Sequence, residues 1–229
     1  MGAYCPVLAL LYDIHGNLPA LERVLEDADS AGADAYLLGG DYAAFGPWPL
    51  ETVERLRALP GSTWIRGNGE RWPREPPLDR PEVVEALARA DSGLGTEEGW
   101  LYSLQQRCEL DGVLYVHGSP LSDVESFGPQ PGPDDERLLD GVRDRTVVFG
   151  HSHLQFRRAG PNRTDLLNPG SVGMPLDGDV RAAYALRHED GAFEFRRVEY
   201  HVERAAAAYE ALGGQIGPMA AQRIRRGSD

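Results

Sequence analysis

Short apolar runs alternate with amphipathic segments in the first third of the chain. The run at residues 7–12 is short and continuously apolar, which is typical of a strand buried on both faces. Apolar residues then recur at helical spacing over residues 18–31, and this pattern stops at Gly32. The same alternation predicts a strand at 35–38, a helix at 50–59 and a strand at 62–66. This order indicates an α/β fold with parallel strands.

The second half of the chain is richer in predicted strands. Asp111-Gly112 separates two strand-like runs, at 107–110 and 113–116, and is typical of a two-residue hairpin turn. Further strands are predicted at 145–149, within 165–173, at 182–186 and at 193–198, with helices near 134–142 and 201–212. The last two strands have no helix between them, so they are expected to form an antiparallel portion or a second sheet. We expect the arginine-rich end, residues 223–229, to fray.

Residues 71–104 differ in character from the segments around them. Residues 71–81 are proline-rich and polar, and two helices are predicted near 82–91 and 96–104. We interpret this region as a cap-like insertion that borders the site, within a single domain spanning residues 1–229.

Polar residues follow several of the apolar runs. Asp13 and His15 are two apart after the first run, so on an extended segment their side chains point the same way and can bind one ion. Alone, a turn aspartate and a surface histidine are the commoner interpretation. Four of the six histidines nevertheless follow apolar runs directly: His15, His117, His151 and His153. His188 and His201 lack that context and are expected to be structural.

Two more candidates stand at the ends of the second and third predicted strands. Asp41 follows two glycines, which let a backbone approach a ligand closely. Asn68 follows Gly67; by itself an asparagine there indicates a turn, but its carbonyl oxygen can also bind a metal.

Composition limits the functions that the chain can have. Its 229 residues allow one large α/β domain or two small ones, and no window approaches the roughly 20 apolar residues that a membrane helix needs. A net charge of -13 argues against binding duplex nucleic acid through its phosphates. Cys5 and Cys108 are far apart and form no C-x-x-C motif, which fits a reducing cytoplasm.

Five motifs in order resemble the calcineurin-like metallophosphoesterase superfamily, most closely its small bacterial and archaeal branch. They are Asp13-x-His15, Gly40-Asp41, Gly67-Asn68, His117 and Gly150-His151-x-His153. The likeness spans about residues 7–175. It implies a four-layer α/β/β/α sandwich with two mixed β-sheets, and a dinuclear metal centre at the strand ends.

The resemblance also implies a role for each candidate. Asp13, His15 and His153 would hold one divalent ion, and Asn68, His117 and His151 a second. Asp41 would bridge the two, and Asp41, Asn68 and His117 would also act in catalysis. Manganese is the first expectation, with iron, zinc or nickel as alternatives. A water or hydroxide shared by the ions would attack the phosphorus of a small phosphate ester or anhydride.

One position departs from the family. Many phosphatases of this superfamily have a histidine directly after the Gly-Asn asparagine, where it acts on the leaving group, but this chain has Gly69. Since a general acid is worth about 10²–10⁴ in rate, we expect slow hydrolysis of alkyl phosphomonoesters and faster hydrolysis of substrates whose leaving group needs no proton.

Three functions remain open from the sequence. The first is a metal-dependent phosphodiesterase or phosphatase, and the second a nucleoside polyphosphate hydrolase in which Tyr42, Phe45 or Trp48 stacks on a base. The third is a protein-binding scaffold, as in the retromer subunit of the superfamily. A further hypothesis is that phosphate is bound by Arg66, Arg71 and Arg74. No membrane partner is expected, and the sequence does not determine the oligomeric state.

Overall fold

The computed structural model describes residues 7–91 and 93–229. Within these residues the strands are β1 Leu8–Leu11, β2 Ala35–Leu38, β3 Ser62–Trp64, β4 Arg107–Leu110, β5 Val113–Val116, β6 Thr146–Val148, β7 Gln155–Ala159, β8 Asp165–Pro169, β9 Ala182–Arg187 and β10 Phe193–Val198. They form two five-stranded sheets, in the orders β10-β9-β1-β2-β3 and β4-β5-β6-β8-β7.

Both sheets are mixed. In the first, β1, β2 and β3 are parallel, and β9 pairs antiparallel with the other edge of β1. In the second, β5, β6 and β8 are parallel, with antiparallel β4 and β7 at the edges. The last two strands therefore form an antiparallel portion of the first sheet, which is one of the two predicted arrangements.

Helices lie outside the two sheets, some on the sheet faces and others on neighbouring helices. They are α1 Leu18–Ser30, α2 Pro49–Arg57, α3 Asn68–Arg71, α4 Pro81–Asp91, α5 Glu97–Tyr102, α6 Asp135–Leu138, α7 Val202–Ala211 and α8 Ile216–Arg226. Leu21 and Val24 of α1 pack on the first sheet, and Leu138 of α6 packs on the second. Between the sheets, Leu10 and Tyr115 belong to one buried cluster. The predicted four-layer α/β/β/α sandwich is confirmed.

Three elements differ from the sequence-based expectations. The arginine-rich end is not frayed up to Arg226, because Ile224 and Ala220 on the inner face of α8 are buried against α7. Strand β7 escaped prediction because it is a partly exposed edge strand with arginines at two of its five positions. The Gly67–Glu70 turn becomes the short helix α3.

Cys108 is a free thiol packed against the cluster between the sheets, whereas Cys5 lies outside the described residues. Burial raises the pKa of Cys108 to about 11, so it is protonated at neutral pH. Among the described helices, none is long and apolar enough to cross a membrane.

Candidate metal centre

The carboxyl ends of several strands bring the seven predicted ligands together. Asp13 and His15 follow β1, Asp41 follows β2 and Asn68 lies just after β3. His117 follows β5, and His151 and His153 follow β6. Two groups of three side chains have ligand atoms within 4.8 Å of one another: Asp13, His15 and His153, and Asp13, Asp41 and His117. Side chains from both sheets therefore meet in one buried cluster.

Three imidazoles are held by the same kind of hydrogen bond. Nδ1 of His15 lies 3.0 Å from the carbonyl oxygen of Ala44, Nδ1 of His117 lies 2.9 Å from that of Gly39, and Nδ1 of His153 lies 2.7 Å from a third carbonyl. Since a carbonyl can only accept, each Nδ1 carries the proton. Each neutral ring therefore presents an Nε2 lone pair to the cluster, which is the usual arrangement of metal-binding histidines.

The carboxylates of Asp13 and Asp41 lie close to these Nε2 atoms. Oδ1 of Asp13 lies 3.5 Å from Nε2 of His153 and 3.9 Å from Nε2 of His117. The two oxygens of Asp41 face different histidines, since Oδ2 is 3.9 Å from His15 and Oδ1 is 3.4 Å from His117. Asp41 thus spans the space between the two groups.

Asn68 and His151 complete the cluster. Oδ1 of Asn68 lies 3.0 Å from Nε2 of His117, which in its neutral form also has a lone pair there. Rotating the amide by half a turn would bring its nitrogen within 2.9 Å of His151 Nδ1 and let it donate. A cation shared by these residues would favour the orientation in which the oxygen faces the two imidazoles.

The backbone at these strand ends is unusual. Asp13, His15, Asp41, His151 and His153 all have φ between 50° and 64°, in the left-handed region that non-glycine residues rarely adopt. Left-handed residues of this kind cost on the order of 1–3 kcal/mol each and cluster at functional sites. The surrounding fold therefore imposes this geometry on the loops.

Glu70 joins two of the loops. Its buried carboxylate accepts hydrogen bonds from the backbone N–H groups of Asp41, Tyr42 and Gly67, at 2.9, 2.8 and 2.8 Å. Burial and the nearby charge of Asp41 raise the pKa of Glu70 to about 7, while the three donors act in the opposite direction. Sequence reasoning missed this residue, although a glutamate in the first turn of a helix often accepts a hydrogen bond from the N–H of the residue that precedes the helix, as Glu70 does from Gly67.

Burial and neighbouring charges shift the acidity of the cluster. Burial alone would raise the pKa of Asp13, but the charges of His153 and His117 outweigh it and hold that pKa far below its usual value. Burial lowers the pKa of His117, but the carboxylates of Asp41 and Asp13 outweigh it and raise the pKa to about 8. Burial, together with the charge of His117, lowers the pKa of His151 to about 4.

These groups fit a divalent cation. Nε2 of His15 lies 3.1 Å from Nε2 of His153, so two lone pairs face each other when both rings are neutral. Oδ1 of Asp13 is buried and has no hydrogen-bond partner among the described residues. Buried polar atoms are normally satisfied, and a cation would satisfy all three atoms together. Mixed imidazole and carboxylate ligands suit first-row transition metals.

Comparison with known proteins agrees with this geometry. The sequence model of the calcineurin-like phosphoesterase superfamily domain matches residues 7–191, which is most of the chain. The chain belongs to the calcineurin-like phosphoesterase superfamily.

Relatives of this phosphoesterase come from both bacteria and archaea, and the predicted branch is confirmed. Phosphodiesterase YfcE of Escherichia coli is 29% identical over 189 residues, covering 78% of this chain and 85% of that protein. An uncharacterised protein of Methanocaldococcus jannaschii is 26% identical over 223 residues, covering 87% and 90%. The crystal structure of a metallophosphoesterase from Sphaerobacter thermophilus has a TM-score of 0.81 at 27% identity, covering 96% of this chain and 99% of that one.

The space beside Gly69 is filled in this phosphoesterase. A Cβ atom at this position would lie 2.7 Å from Cβ of Ala44 and 2.9 Å from Oδ1 of Asp41. The Gly69 N–H donates to that same Asp41 oxygen at 2.7 Å. A histidine therefore does not fit here without movement of the Asp41 loop.

A cavity of about 130 Å³ lies over the cluster, and sequence reasoning missed much of its wall. The wall includes Trp72, Val83 and Arg80 from the 71–104 region, and Ile216, Met219 and Arg223 from α8. The helical pattern of α8 could have been recognised, because Ile216, Ala220 and Ile224 recur at four-residue intervals.

Other predicted site residues lie elsewhere. Stacking by Tyr42 on a base was a wrong prediction, because its ring is fully buried and its hydroxyl is hydrogen-bonded to the backbone. Phe45, in contrast, lines the cavity. The three arginines suggested for phosphate binding are held by other groups: Arg71 by Asp123, Arg74 by Glu98 and Arg66 by the Tyr102 carbonyl. His188 pairs with Glu194, as expected of a structural residue.

Proposed function

We propose that this chain is a dinuclear metal-dependent phosphoesterase that hydrolyses small phosphodiesters or phosphomonoesters. The observation that carries the proposal is the convergence of three Nε2 atoms and two buried carboxylates, without a hydrogen-bond donor for Asp13 Oδ1 among the described residues. Membership of a phosphoesterase superfamily and a phosphodiesterase relative support the same class of reaction.

Each ligand has a proposed place. Asp13, His15 and His153 hold one ion, Asn68, His117 and His151 hold the other, and Asp41 bridges them. When bound, two divalent ions would neutralise phosphoryl oxygens and make a water molecule acidic enough to attack phosphorus near neutral pH. Manganese remains the first expectation for this ligand set, with iron, zinc or nickel as alternatives.

The protein's own groups prepare the site before substrate arrives. Backbone carbonyls hold the rings of His15, His117 and His153 with Nε2 directed inward. Glu70 ties the Asp41 loop to the start of α3, which carries Asn68. Such preorganisation lowers the reorganisation needed during reaction.

We propose further that the chain works as a single domain with residues 71–104 as its cap. Trp72, Arg80 and Val83 from this region stand on the wall of the cavity over the proposed ligands. A cap in that position would choose among substrates without taking part in metal binding.

The test is a panel of aryl and alkyl phosphomonoesters and phosphodiesters, assayed with Mn²⁺ and with chelator. We expect Mn²⁺-dependent hydrolysis, with aryl esters favoured by about 10² or more because no general acid occupies position 69. Equal rates for aryl and alkyl esters would contradict the prediction that the site lacks a general acid.

Asp41→Asn provides the matching variant. It should lower kcat by at least about 10²-fold, because the bridging carboxylate loses its charge. Asp140→Asn changes an exposed aspartate in the turn after α6 and should leave kcat unchanged. An Asp41→Asn protein as active as Asp140→Asn would exclude the proposed centre.

A nucleoside polyphosphate hydrolase is the second candidate, because Gly69 leaves no group to protonate an alkoxide and Phe45 lines the cavity. A non-catalytic scaffold is the third, and the complete set of buried ligands argues against it. Failure of the gently purified protein to bind Mn²⁺ would favour the scaffold.

A further inference from the structure

Two arginines stand over the proposed metal centre and have no role in the chemistry described so far. Arg80 precedes α4 in the cap, and Arg223 lies near the end of α8. Both line the same cavity as His15, Asp41 and Asn68. Two arginines from distant parts of the sequence thus line one cavity, in a chain whose net charge is -13.

These arginines are free to exchange their present partners. Nε of Arg80 lies 3.7 Å from Glu82, and Arg223 pairs with Asp229, whose side chain is 71% exposed. Exposed ion pairs of this kind are worth only about 0–1 kcal/mol. Arg71 differs, because two of its nitrogens lie 2.7 and 2.8 Å from the oxygens of Asp123.

The cavity wall offers positive charge to a leaving group but no proton. Apart from the proposed ligands, the polar side chains described on this wall are Arg80, Arg223 and the Trp72 indole. None of them exchanges a proton near neutral pH. Ala44 fills the space next to position 69. A leaving group must therefore depart as an anion, and guanidinium groups stabilise phosphate anions through paired hydrogen bonds.

We propose that Arg80 and Arg223 bind the departing phosphate of a phosphoanhydride, which would make phosphoanhydrides the preferred substrates of this site. This inference rests on the proposed function. Hydrolysis joins the oxygen of water to phosphorus and breaks the bond to the bridging oxygen. The electron pair of that bond stays on the departing phosphate, and the proton lost from water goes to the phosphate products or to solvent.

The surroundings of the arginines strengthen such binding. Val83 and Ile216 are buried and Met219 is partly exposed on the same wall, so the guanidinium groups meet the anion beside apolar surface. Charge interactions are stronger there than in bulk water, and more so for Arg223, whose side chain is 32% exposed, than for Arg80 at 55%. The departing phosphate can belong to an inorganic or a nucleoside polyphosphate, and the measurements below distinguish the two.

The first measurement is selectivity in Mn²⁺. We define it as kcat/KM for tripolyphosphate, or for diadenosine tetraphosphate, divided by kcat/KM for bis(p-nitrophenyl) phosphate. Arg80→Gln and Arg223→Gln should each lower this ratio about tenfold, the loss of one charged hydrogen-bonded contact, and Arg223→Lys should retain part of it. Arg225→Gln on the same helix should change nothing, because Arg225 pairs with Glu203 and Glu210.

The second measurement is binding of tripolyphosphate to metal-free protein by calorimetry. Kd should rise about tenfold in Arg80→Gln and in Arg223→Gln, and should also rise with salt. If neither the selectivity ratio nor the Kd for tripolyphosphate changes in the two variants, the inference is wrong while the proposed function stands. Binding that depends on the arginines, without hydrolysis of any ester or anhydride, would instead reject the proposed function and the substrate preference that rests on it, and would leave only a polyphosphate-binding site. Preference for diadenosine tetraphosphate over tripolyphosphate would identify a nucleoside source.

Discussion

Five of the seven proposed ligands adopt a left-handed backbone, which the sequence gives no sign of. At His15 this conformation is held from several sides. His15 N–H donates to the carbonyl of Asp41, and the carbonyl of His15 accepts from the hydroxyl of Tyr209. Hydrogen bonds from neighbouring elements thus offset the free-energy cost of the left-handed conformation. The motifs could point to the proposed ligands, but this conformation depends on contacts between distant segments.

Glu70→Ala is expected to destabilise the fold strongly. The substitution leaves three buried backbone N–H groups without an acceptor, and each such group costs about 1–3 kcal/mol. Allowing for relaxation, we expect the free energy of unfolding to fall by about 2–4 kcal/mol in urea titrations. Glu26→Ala removes an exposed glutamate from α1 and should change it by less than about 0.5 kcal/mol. Similar values for the two variants would show that Glu70 does not hold the loops.

Gly69→His should fail to restore the histidine of related phosphatases. Its Cβ would clash with Ala44 and with Asp41, so we expect a loss of about 1–3 kcal/mol in stability and at least tenfold lower kcat. Adding Ala44→Gly opens the space beside the ring and should recover part of the stability. Thermal unfolding and alkyl phosphate hydrolysis measure both effects. Faster alkyl ester hydrolysis by Gly69→His alone would mean that the site has room for the ring.

At the level of elements, most of the fold was predictable where periodicity is strong. Strand β2 and the β4–β5 hairpin have the predicted bounds, and Asp111 and Gly112 have the two positive φ angles of a tight hairpin turn. Helix α1 is one residue shorter than expected. These elements carry their signal within a few neighbouring residues.

The elements that escaped prediction are those stabilised from elsewhere. Helix α3 has only four residues and depends on Glu70, and β7 is an edge strand without a continuous apolar face. Helix α8 contains a glycine and a proline near its start, and its apolar residues pack on α7. Consequently the sequence indicated the floor of the cavity but not the wall that α8 provides.

Tyr209→Phe tests whether α7 supports the proposed metal centre. Tyr209 on α7 is fully buried and donates a hydrogen bond to the carbonyl of His15. Without it, we expect a loss of about 1 kcal/mol in stability and a several-fold higher Mn²⁺ concentration for half-maximal activity. Tyr102→Phe, which removes an exposed hydroxyl bonded to Glu75, is the matched control. An unchanged Mn²⁺ requirement in Tyr209→Phe would show that the hydrogen bond from α7 does not support metal binding.

For the whole molecule, metal binding and stability should be coupled. The proposed ligands converge only in the folded chain, so a metal at 100 times its Kd stabilises the fold by about 2.7 kcal/mol. For a chain of this size that corresponds to a rise in Tm of about 5–10 °C. Thermal scans with Mn²⁺ and with chelator measure it. The rise should be mostly lost in Asp41→Asn and kept in Asp140→Asn, and equal shifts in both would indicate non-specific binding to an acidic surface.

The pairing of β1 has a consequence for synthesis on the ribosome. This strand leads directly to Asp13 and His15, and one of its edges pairs with β9 at residues 185–187. That edge has no partner while the intervening polypeptide is still being translated. The first of the proposed ligands to emerge are therefore among the last to reach their final positions, so we expect a nascent chain stalled before residue 182 to be unable to bind Mn²⁺.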